Sequence, residues 1–159
     1  MSCRELGAED GGVLVQRDTY FGASRSRLKL REEENAAPYL VSYLRPDRVG
    51  SRESRYRIVP VERPAELKAA LSDSLGVVAV VTKRRRLFLW ENVRIHLDRV
   101  EDLGDFIELE AVAAPGSDLA REEEQVRVLR TGLGIDDSDL IGESYCDFLL
   151  GSAPSRSSS

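Results

Sequence analysis

The chain has 159 residues, of which 42% are hydrophobic and 32% are charged, and its formal net charge is −5. This length fits one globular domain with its own core. The acidic balance argues against non-specific nucleic-acid binding, and no apolar run approaches the roughly 18 residues of a membrane span. The two cysteines, Cys3 and Cys146, are too few for a disulfide framework and fit a reducing, cytoplasmic location.

The first part of the chain is dominated by patterns typical of strands. Residues 1–12 are polar and end in glycine, and we interpret them as a loop or the end of a helix. VLVQRDTYF (13–21) is rich in β-branched and aromatic residues, and RLKLR (27–31) alternates strictly. Two more strands are predicted at 39–45 and 54–61, where turn residues bound the apolar runs.

In the middle of the chain the spacing of hydrophobic residues changes from that of a strand to that of a helix, and then back to that of strands. The segment 64–75 begins with proline, repeats leucine every four residues and is followed by glycine, which predicts a helix. Strands are predicted after it at 77–90, 93–100 and 106–112.

The end of the chain is predicted to be helical. Helices are expected at about 119–131 and 143–149, and the serine-rich tail at 151–159 is predicted to be disordered. Many strands in series with a few helices indicate an α+β domain over 13–150 with a mostly antiparallel sheet.

The predicted strands share an unusual polar face. In FIELEAV, for example, Ile107 and Leu109 oppose Glu108 and Glu110. One such strand alone indicates only one buried and one solvated face. Across the strands, however, the polar faces carry long cations and carboxylates and almost no Ser, Thr or Gln. We therefore expect the sheet to curl into a barrel, with the charged face inside and the apolar face outside under helices.

The charges on this interior predict the kind of ligand. Six cations and three carboxylates leave three positive charges in a confined space, where unpaired charges are costly. A triphosphate with one divalent cation nearly balances that excess. The residues concerned are Lys29, Arg31, Arg45, Lys83, Arg85, Arg94, Asp98, Glu108 and Glu110.

Seven motifs follow one another in an order typical of a known family. They are QRDTYF (16–21), RLKLRE (27–32), YLRPD (43–47), SRYRI (54–58), KRRRLFL (83–89), VRIHLDRVEDLGDFIELE (93–110) and SYCDFLL (144–150). Together they resemble the CYTH family of triphosphate tunnel proteins, which includes class IV adenylyl cyclases, thiamine triphosphatases and inorganic triphosphatases. QRDTYF and RIHLD are most similar to the class IV cyclase-like branch.

The resemblance implies a fold and a set of residue roles. The fold would be an antiparallel barrel of eight strands around a cationic tunnel, with helices packed outside. Glu108 and Glu110 would bind Mg²⁺ or Mn²⁺, and Asp98 would have a catalytic role near a second metal ion or the attacking group. The substrate would be ATP, tripolyphosphate or thiamine triphosphate. The phosphate-binding residues would be Lys29, Arg31, Arg45, Lys83, Arg85 and Arg94.

One departure from the family pattern concerns its first strand. That strand carries Glu-x-Glu-x-Lys in the family, and no segment here matches it. We therefore expect seven strands, with the first strand absent and the barrel open along one edge. An open edge exposes unpaired backbone groups and would favour association, such as a homodimer. Loss of the opposing carboxylates would weaken metal binding and catalysis.

The sequence is compatible with two functions. The first is an enzyme that cyclises or hydrolyses a triphosphate with a divalent metal ion. The alternative is a polyphosphate- or nucleotide-binding module with impaired catalysis. His96, the only histidine, is interpreted as structural or phosphate-contacting rather than as a general base.

Overall fold

The computed structural model describes residues 2–44 and 55–152. The predicted phosphate ligand Arg45 and residues 153–159 of the predicted disordered tail therefore lie outside the described residues. No helix in the described ranges is both long and apolar enough to cross a membrane. The elements in chain order are β1 (Glu9–Phe21), β2 (Arg27–Glu33), β3 (Tyr39–Leu44), β4 (Arg55–Pro60), α1 (Pro64–Leu75), β5 (Val77–Trp90), β6 (Val93–Val100), β7 (Gly104–Ala111), α2 (Ala120–Leu133) and α3 (Tyr145–Ser152).

Helix α1 has the boundaries predicted from the sequence. Pro64 occupies the first turn, where its missing N–H costs no helical hydrogen bond. The helix ends at Leu75, and Gly76 follows it with a positive φ of 72°, which glycine adopts without strain. The Gly76 N–H donates to the Ser72 carbonyl oxygen at 2.9 Å.

Strand β1 begins at Glu9, four residues before the predicted start at 13. Glu9 and Asp10 pair with β5 opposite Leu89 and Phe88, and an irregularity in the register separates this pair from Gly12. The polar and glycine residues of this segment have low strand propensity, which is why the sequence pattern did not reveal the strand. The hydrogen-bonded pairing of β1 with β5, which extends from Glu9 to Phe21, outweighs the low strand propensity of these residues.

The seven strands form one antiparallel sheet in the order β4-β3-β2-β1-β5-β6-β7. Strand β1 is central, because β2 pairs with one of its edges and β5 with the other. Helix α1 connects β4 to β5 and so carries the chain from one side of β1 to the other. The α+β class and the antiparallel sheet are confirmed. The sheet is not closed, since β4 and β7 are its two edges in the part of the chain that the structure describes.

The sheet is curved rather than flat. Tyr145, at the start of α3, donates to Asp98 on β6, and Asp147 in the same helical turn accepts from Arg27 on β2. Strands β2 and β6 are three strands apart, which in a flat sheet would separate them by about 14 Å. One helical turn thus contacts both strands on the same face, and we call this face, which also carries Lys29 on β2 and Glu108 on β7, the charged face.

The opposite, apolar face of the sheet carries the main core. Val93 and Ile95 on β6 and Phe88 on β5 pack with Leu129 of α2, and the N-terminal Cys3 joins the same cluster. Ile95 and Leu129 are completely buried. The expected arrangement, with the apolar face under a helix, is thus present on this side of the sheet.

The contact between α2 and the sheet predicts a large effect of truncating Leu129. Leu129→Ala should lower the free energy of unfolding by about 2–5 kcal/mol, because it removes a completely buried side chain. Val128→Ala, at a neighbouring position that is 40% exposed, should change it by only about 0.5 kcal/mol. Urea unfolding followed by circular dichroism measures both. Equal losses for the two variants would contradict the assignment of α2 to the core.

Candidate functional site

The charged face is centred on a buried carboxylate, Asp18, in contact with three cations. Lys29 Nζ and Lys83 Nζ donate to Asp18 Oδ2 at 2.8 and 3.0 Å. Arg31 donates from Nε to Oδ1 and from Nη2 to Oδ2, both at 2.6 Å. The register places Asp18 opposite Arg31 and places Gln16 opposite Lys83, so cations reach the carboxylate from both neighbouring strands. Asp18 has no exposed surface.

The three cations and one carboxylate control one another's ionisation. Burial acts to raise the pKa of Asp18, but the adjacent positive charges outweigh it and hold this pKa well below its usual range. Burial lowers the pKa of Lys83 to about 8; Asp18 opposes the fall, and Arg31 and Lys29 add to it. The cluster has three cations against one carboxylate in direct contact, so it keeps a positive excess.

Arg85 links this cluster to the carboxylates of β6 and β7. Its Nε and Nη2 donate to Asp98 Oδ1 and Oδ2 at 2.7 and 2.6 Å, and Nη2 also donates to Glu108 Oε2 at 2.8 Å. Tyr145 donates its hydroxyl to Asp98 Oδ2 at 2.9 Å. Both oxygens of the buried Asp98 therefore accept hydrogen bonds, and Asp98 acts as the fixed counter-ion of Arg85.

Glu108 and Glu110 lie on the same face of the edge strand β7, on either side of His96. His96 Nδ1 lies 3.1 Å from Glu108 Oε2, and His96 Nε2 lies 3.9 Å from Glu110 Oε2. Arg94 donates to Glu110 Oε2 at 3.2 Å. Partial burial acts to raise the pKa of Glu108, but the His96 hydrogen bond and the positive charge of Arg85 outweigh it and hold this pKa well below its usual range. With 52% of its side chain exposed, Glu108 is an ionised carboxylate open to solvent.

The chemistry of these two carboxylates fits a hard divalent cation. Their oxygens are the ligands that Mg²⁺ and Mn²⁺ prefer. No group of three or more metal-ligating side chains occurs within residues 2–44 and 55–152. Mg²⁺ in phosphate sites commonly has one or two protein carboxylates, with phosphate and water oxygens completing the coordination. Glu108 and Glu110 therefore fit a metal ion that binds together with a phosphate ligand.

Helix α3 covers one end of the charged face. Arg27 on β2 donates to Ser144 Oγ at 3.0 Å and to Asp147 Oδ2 at 2.8 Å, which fixes the start of the helix to the sheet. Lys83 Nζ lies 5.8 Å from the centre of the Tyr145 ring. Burial, together with the charges of Asp98 and Glu108, raises the pKa of Tyr145, so this residue stays a neutral hydrogen-bond donor.

The residues predicted as site residues fall into three groups. The first group, Lys29, Arg31, Lys83 and Arg85, converges in the buried part of the charged face, as described above. Asp98 lies beside this group and is bound to Arg85. The second group consists of Arg94, Glu108 and Glu110 at the more exposed end. Arg45 alone forms the third group, outside the described residues.

Asp18 lies at the centre of the cluster but was not among the site residues predicted from the sequence. The signal was present in β1, where Gln16, Asp18 and Tyr20 alternate with Arg17 and Thr19 and therefore lie on one face. Including Asp18 reduces the excess of positive charge that was predicted for the interior. Tyr145 was missed because helix α3 is remote in sequence from the strands it covers.

Comparisons with known proteins agree with this architecture. Residues 2–145 match the CYTH domain family. The PH1012 protein of Pyrococcus horikoshii OT3 superposes with a TM-score of 0.78 at 25% identity, over 91% of this chain and 88% of that protein. The PH1819 protein of the same organism gives 0.73 at 21% identity, over 92% and 89% of the two chains.

A third solved structure, a candidate adenylate cyclase from Vibrio parahaemolyticus, gives a TM-score of 0.70 at 19% identity. It covers 89% of this chain and 84% of its own. No curated protein sequence matches the chain significantly. The family match includes β1 to β7 and the start of α3, and with it the strands that build the charged face, so the chain belongs to the CYTH domain family.

Proposed function

We propose that the chain binds a triphosphate on its charged face together with a divalent cation and cyclises or hydrolyses it. CYTH proteins bind triphosphates and depend on metal ions. The convergence of Lys29, Arg31 and Lys83, with more positive charge than Asp18 neutralises, carries the proposal for this chain. A ligand with several adjacent phosphate groups, such as ATP, tripolyphosphate or thiamine triphosphate, matches a row of closely spaced cations.

The proposed phosphate contacts follow the course of the cations along the charged face. Arginine guanidinium groups can bind phosphate oxygens through two parallel hydrogen bonds, and lysine provides a compact point charge. Transfer of a phosphoryl or nucleotidyl group depends mostly on positioning and charge neutralisation of this kind. The residues proposed for these contacts are Lys29, Arg31, Arg45, Lys83, Arg85 and Arg94.

The proposed metal ligands are Glu108 and Glu110, with Mg²⁺ or Mn²⁺ as the ion. A bound ion would supply charge neutralisation on the phosphate oxygens. Asp98 is proposed to act at the reacting end of the substrate by holding Arg85. Its two oxygens are engaged by Arg85 and Tyr145, which favours this positioning role over direct proton abstraction.

A second function, triphosphate binding without efficient turnover, is favoured by one observation. The described residues contain two carboxylates suited to a metal ion but no larger group of metal ligands. A metal ion held by few protein ligands is placed less rigidly for catalysis. Incubation with ATP or tripolyphosphate and Mg²⁺ or Mn²⁺, following phosphate, pyrophosphate and cyclic AMP, separates the two functions. Binding without any of these products would support the second.

Removing the charge of Lys83 should weaken triphosphate binding. Lys83→Gln should lower the affinity for tripolyphosphate, measured by titration calorimetry, by about tenfold or more, the usual effect of losing one charge-assisted hydrogen bond. Arg84→Gln is the matched control, because Arg84 is exposed on the opposite face of the same strand. Its affinity should stay within about twofold of the unmodified protein. Equal losses for both variants would indicate non-specific charge attraction.

The affinity for tripolyphosphate should fall as the pH rises through about 8, where Lys83 loses its proton. An anion binds the protonated lysine more tightly, so loss of the proton weakens binding above this pKa. Lys83→Arg should remove the decline, because arginine stays charged throughout this range. Calorimetry across this pH range measures both proteins. The same decline in Lys83→Arg would exclude Lys83 as its source.

Glu108→Gln should affect metal dependence and leave metal-free binding intact. The metal concentration for half-maximal turnover, or for half-maximal enhancement of binding, should rise by at least about tenfold. Affinity for tripolyphosphate without metal should be unchanged or higher, because a negative charge beside Arg85 is lost. Asp105→Asn on the same strand is the control, since Asp105 pairs with Arg99 on the other face. A rise in both variants would argue against Glu108 as a ligand.

A further inference from the structure

We infer that Asp18 is a positioning residue that keeps Lys29 and Lys83 charged at neutral pH and holds them, together with Arg31, converged on the charged face. Its consequence for ligand binding, namely that three cations are presented together to phosphate groups, rests on the proposed function. Asp18 would not touch the ligand and would act through its neighbours.

The exposure of these side chains places Asp18 beneath Lys29 and Arg31. The Asp18 side chain has no exposed surface and that of Lys83 is 2% exposed, whereas those of Lys29 and Arg31 are 12% and 13% exposed. A ligand arriving from solvent therefore meets Lys29 and Arg31 first and does not displace the carboxylate. The contacts of 2.6 to 3.0 Å from three cations fix all of them to one point.

Without this carboxylate the cations would repel one another at close range. Like charges in a desolvated site interact strongly, and a buried lysine responds by giving up its proton. The nearby carboxylates Asp98 and Glu108 are already bound to Arg85 and cannot replace Asp18. Several charged and titratable groups surround Asp18, Lys83 and their direct partners. They are Tyr20 on β1, Lys29 and Arg31 on β2, Tyr39 and Tyr43 on β3, Arg85 on β5, Asp98 on β6, Glu108 on β7 and Tyr145 on α3.

The test is the variant Asp18→Asn, which keeps the size of the side chain and removes its charge. NMR titration of the lysine side chains in the ligand-free protein should show the pKa of Lys83 falling from about 8 by at least about one unit. Asp10→Asn is the control, because Asp10 lies on the same strand but pairs with Arg86, on the outside. In this control the pKa of Lys83 should not change.

A pair of further variants keeps the test valid if Asp18→Asn does not fold. The double variant Asp18→Asn/Lys29→Met loses one negative and one positive charge, so its cluster has the same net charge as the original. It is compared with Lys29→Met alone. The pKa of Lys83 should be lower in the double variant, because the remaining Lys83 and Arg31 then face each other without a counter-ion. Equal values in the two variants would overturn the inference.

Binding experiments separate this inference from the proposed function. If the unmodified protein binds tripolyphosphate, Asp18→Asn should bind it about tenfold more weakly than the unmodified protein near neutral pH. The double variant should show the same loss relative to Lys29→Met. In both cases the decline in affinity with rising pH should move to lower pH. An unchanged pH profile would overturn the role of Asp18. If the unmodified protein binds neither tripolyphosphate nor ATP, the proposed function fails, and the ligand-free lysine titration alone decides whether Asp18 maintains the charges.

Discussion

A completely buried carboxylate in contact with three cations is the interaction on which the charged face depends. Isolated charges are costly to bury, and Asp18 is tolerated because Lys29, Arg31 and Lys83 compensate it directly. This contact requires β1 to lie between β2 and β5, because the cations must approach from both sides. It also requires the observed register, since a shift of one residue in any of these strands would turn its side chain to the opposite face.

The two faces of the sheet have different roles: the apolar face carries the main hydrophobic core, and the charged face carries the candidate site. The apolar face packs under α2 and the N-terminal turn, where Ile95 and Leu129 are completely buried. The charged face lies on the inner side of the curved sheet and carries a smaller hydrophobic cluster at the end under α3. This division allows cations to converge inside the molecule while apolar burial on the other face stabilises the fold.

The charged face is buried at its centre and exposed at the edge strand β7. Asp18 and Lys83 are buried, Arg85 is buried and bridges two carboxylates, and the side chain of Glu108 is 52% exposed. Buried groups with several fixed partners keep their geometry, whereas an exposed carboxylate can exchange its partners. If the proposed function is correct, the buried cations would hold the phosphate chain, and the exposed carboxylates of β7 would bind and release the metal ion.

The alternation of residues in the sequence was sufficient to identify the seven strands, although not the start of β1 at Glu9, because a strand repeats every two residues. It also determined the side of the sheet on which Lys29, Lys83 and Glu108 lie, while Pro64 and Gly76 indicated the limits of α1. The resemblance to the CYTH family was also readable in local motifs. Only the tertiary structure decided that Asp18 is the shared partner of three cations and that Asp98 is already bound by Arg85. Alternation identifies a face but not a neighbour, and these neighbours depend on strand order, register and curvature, which bring together residues distant along the chain.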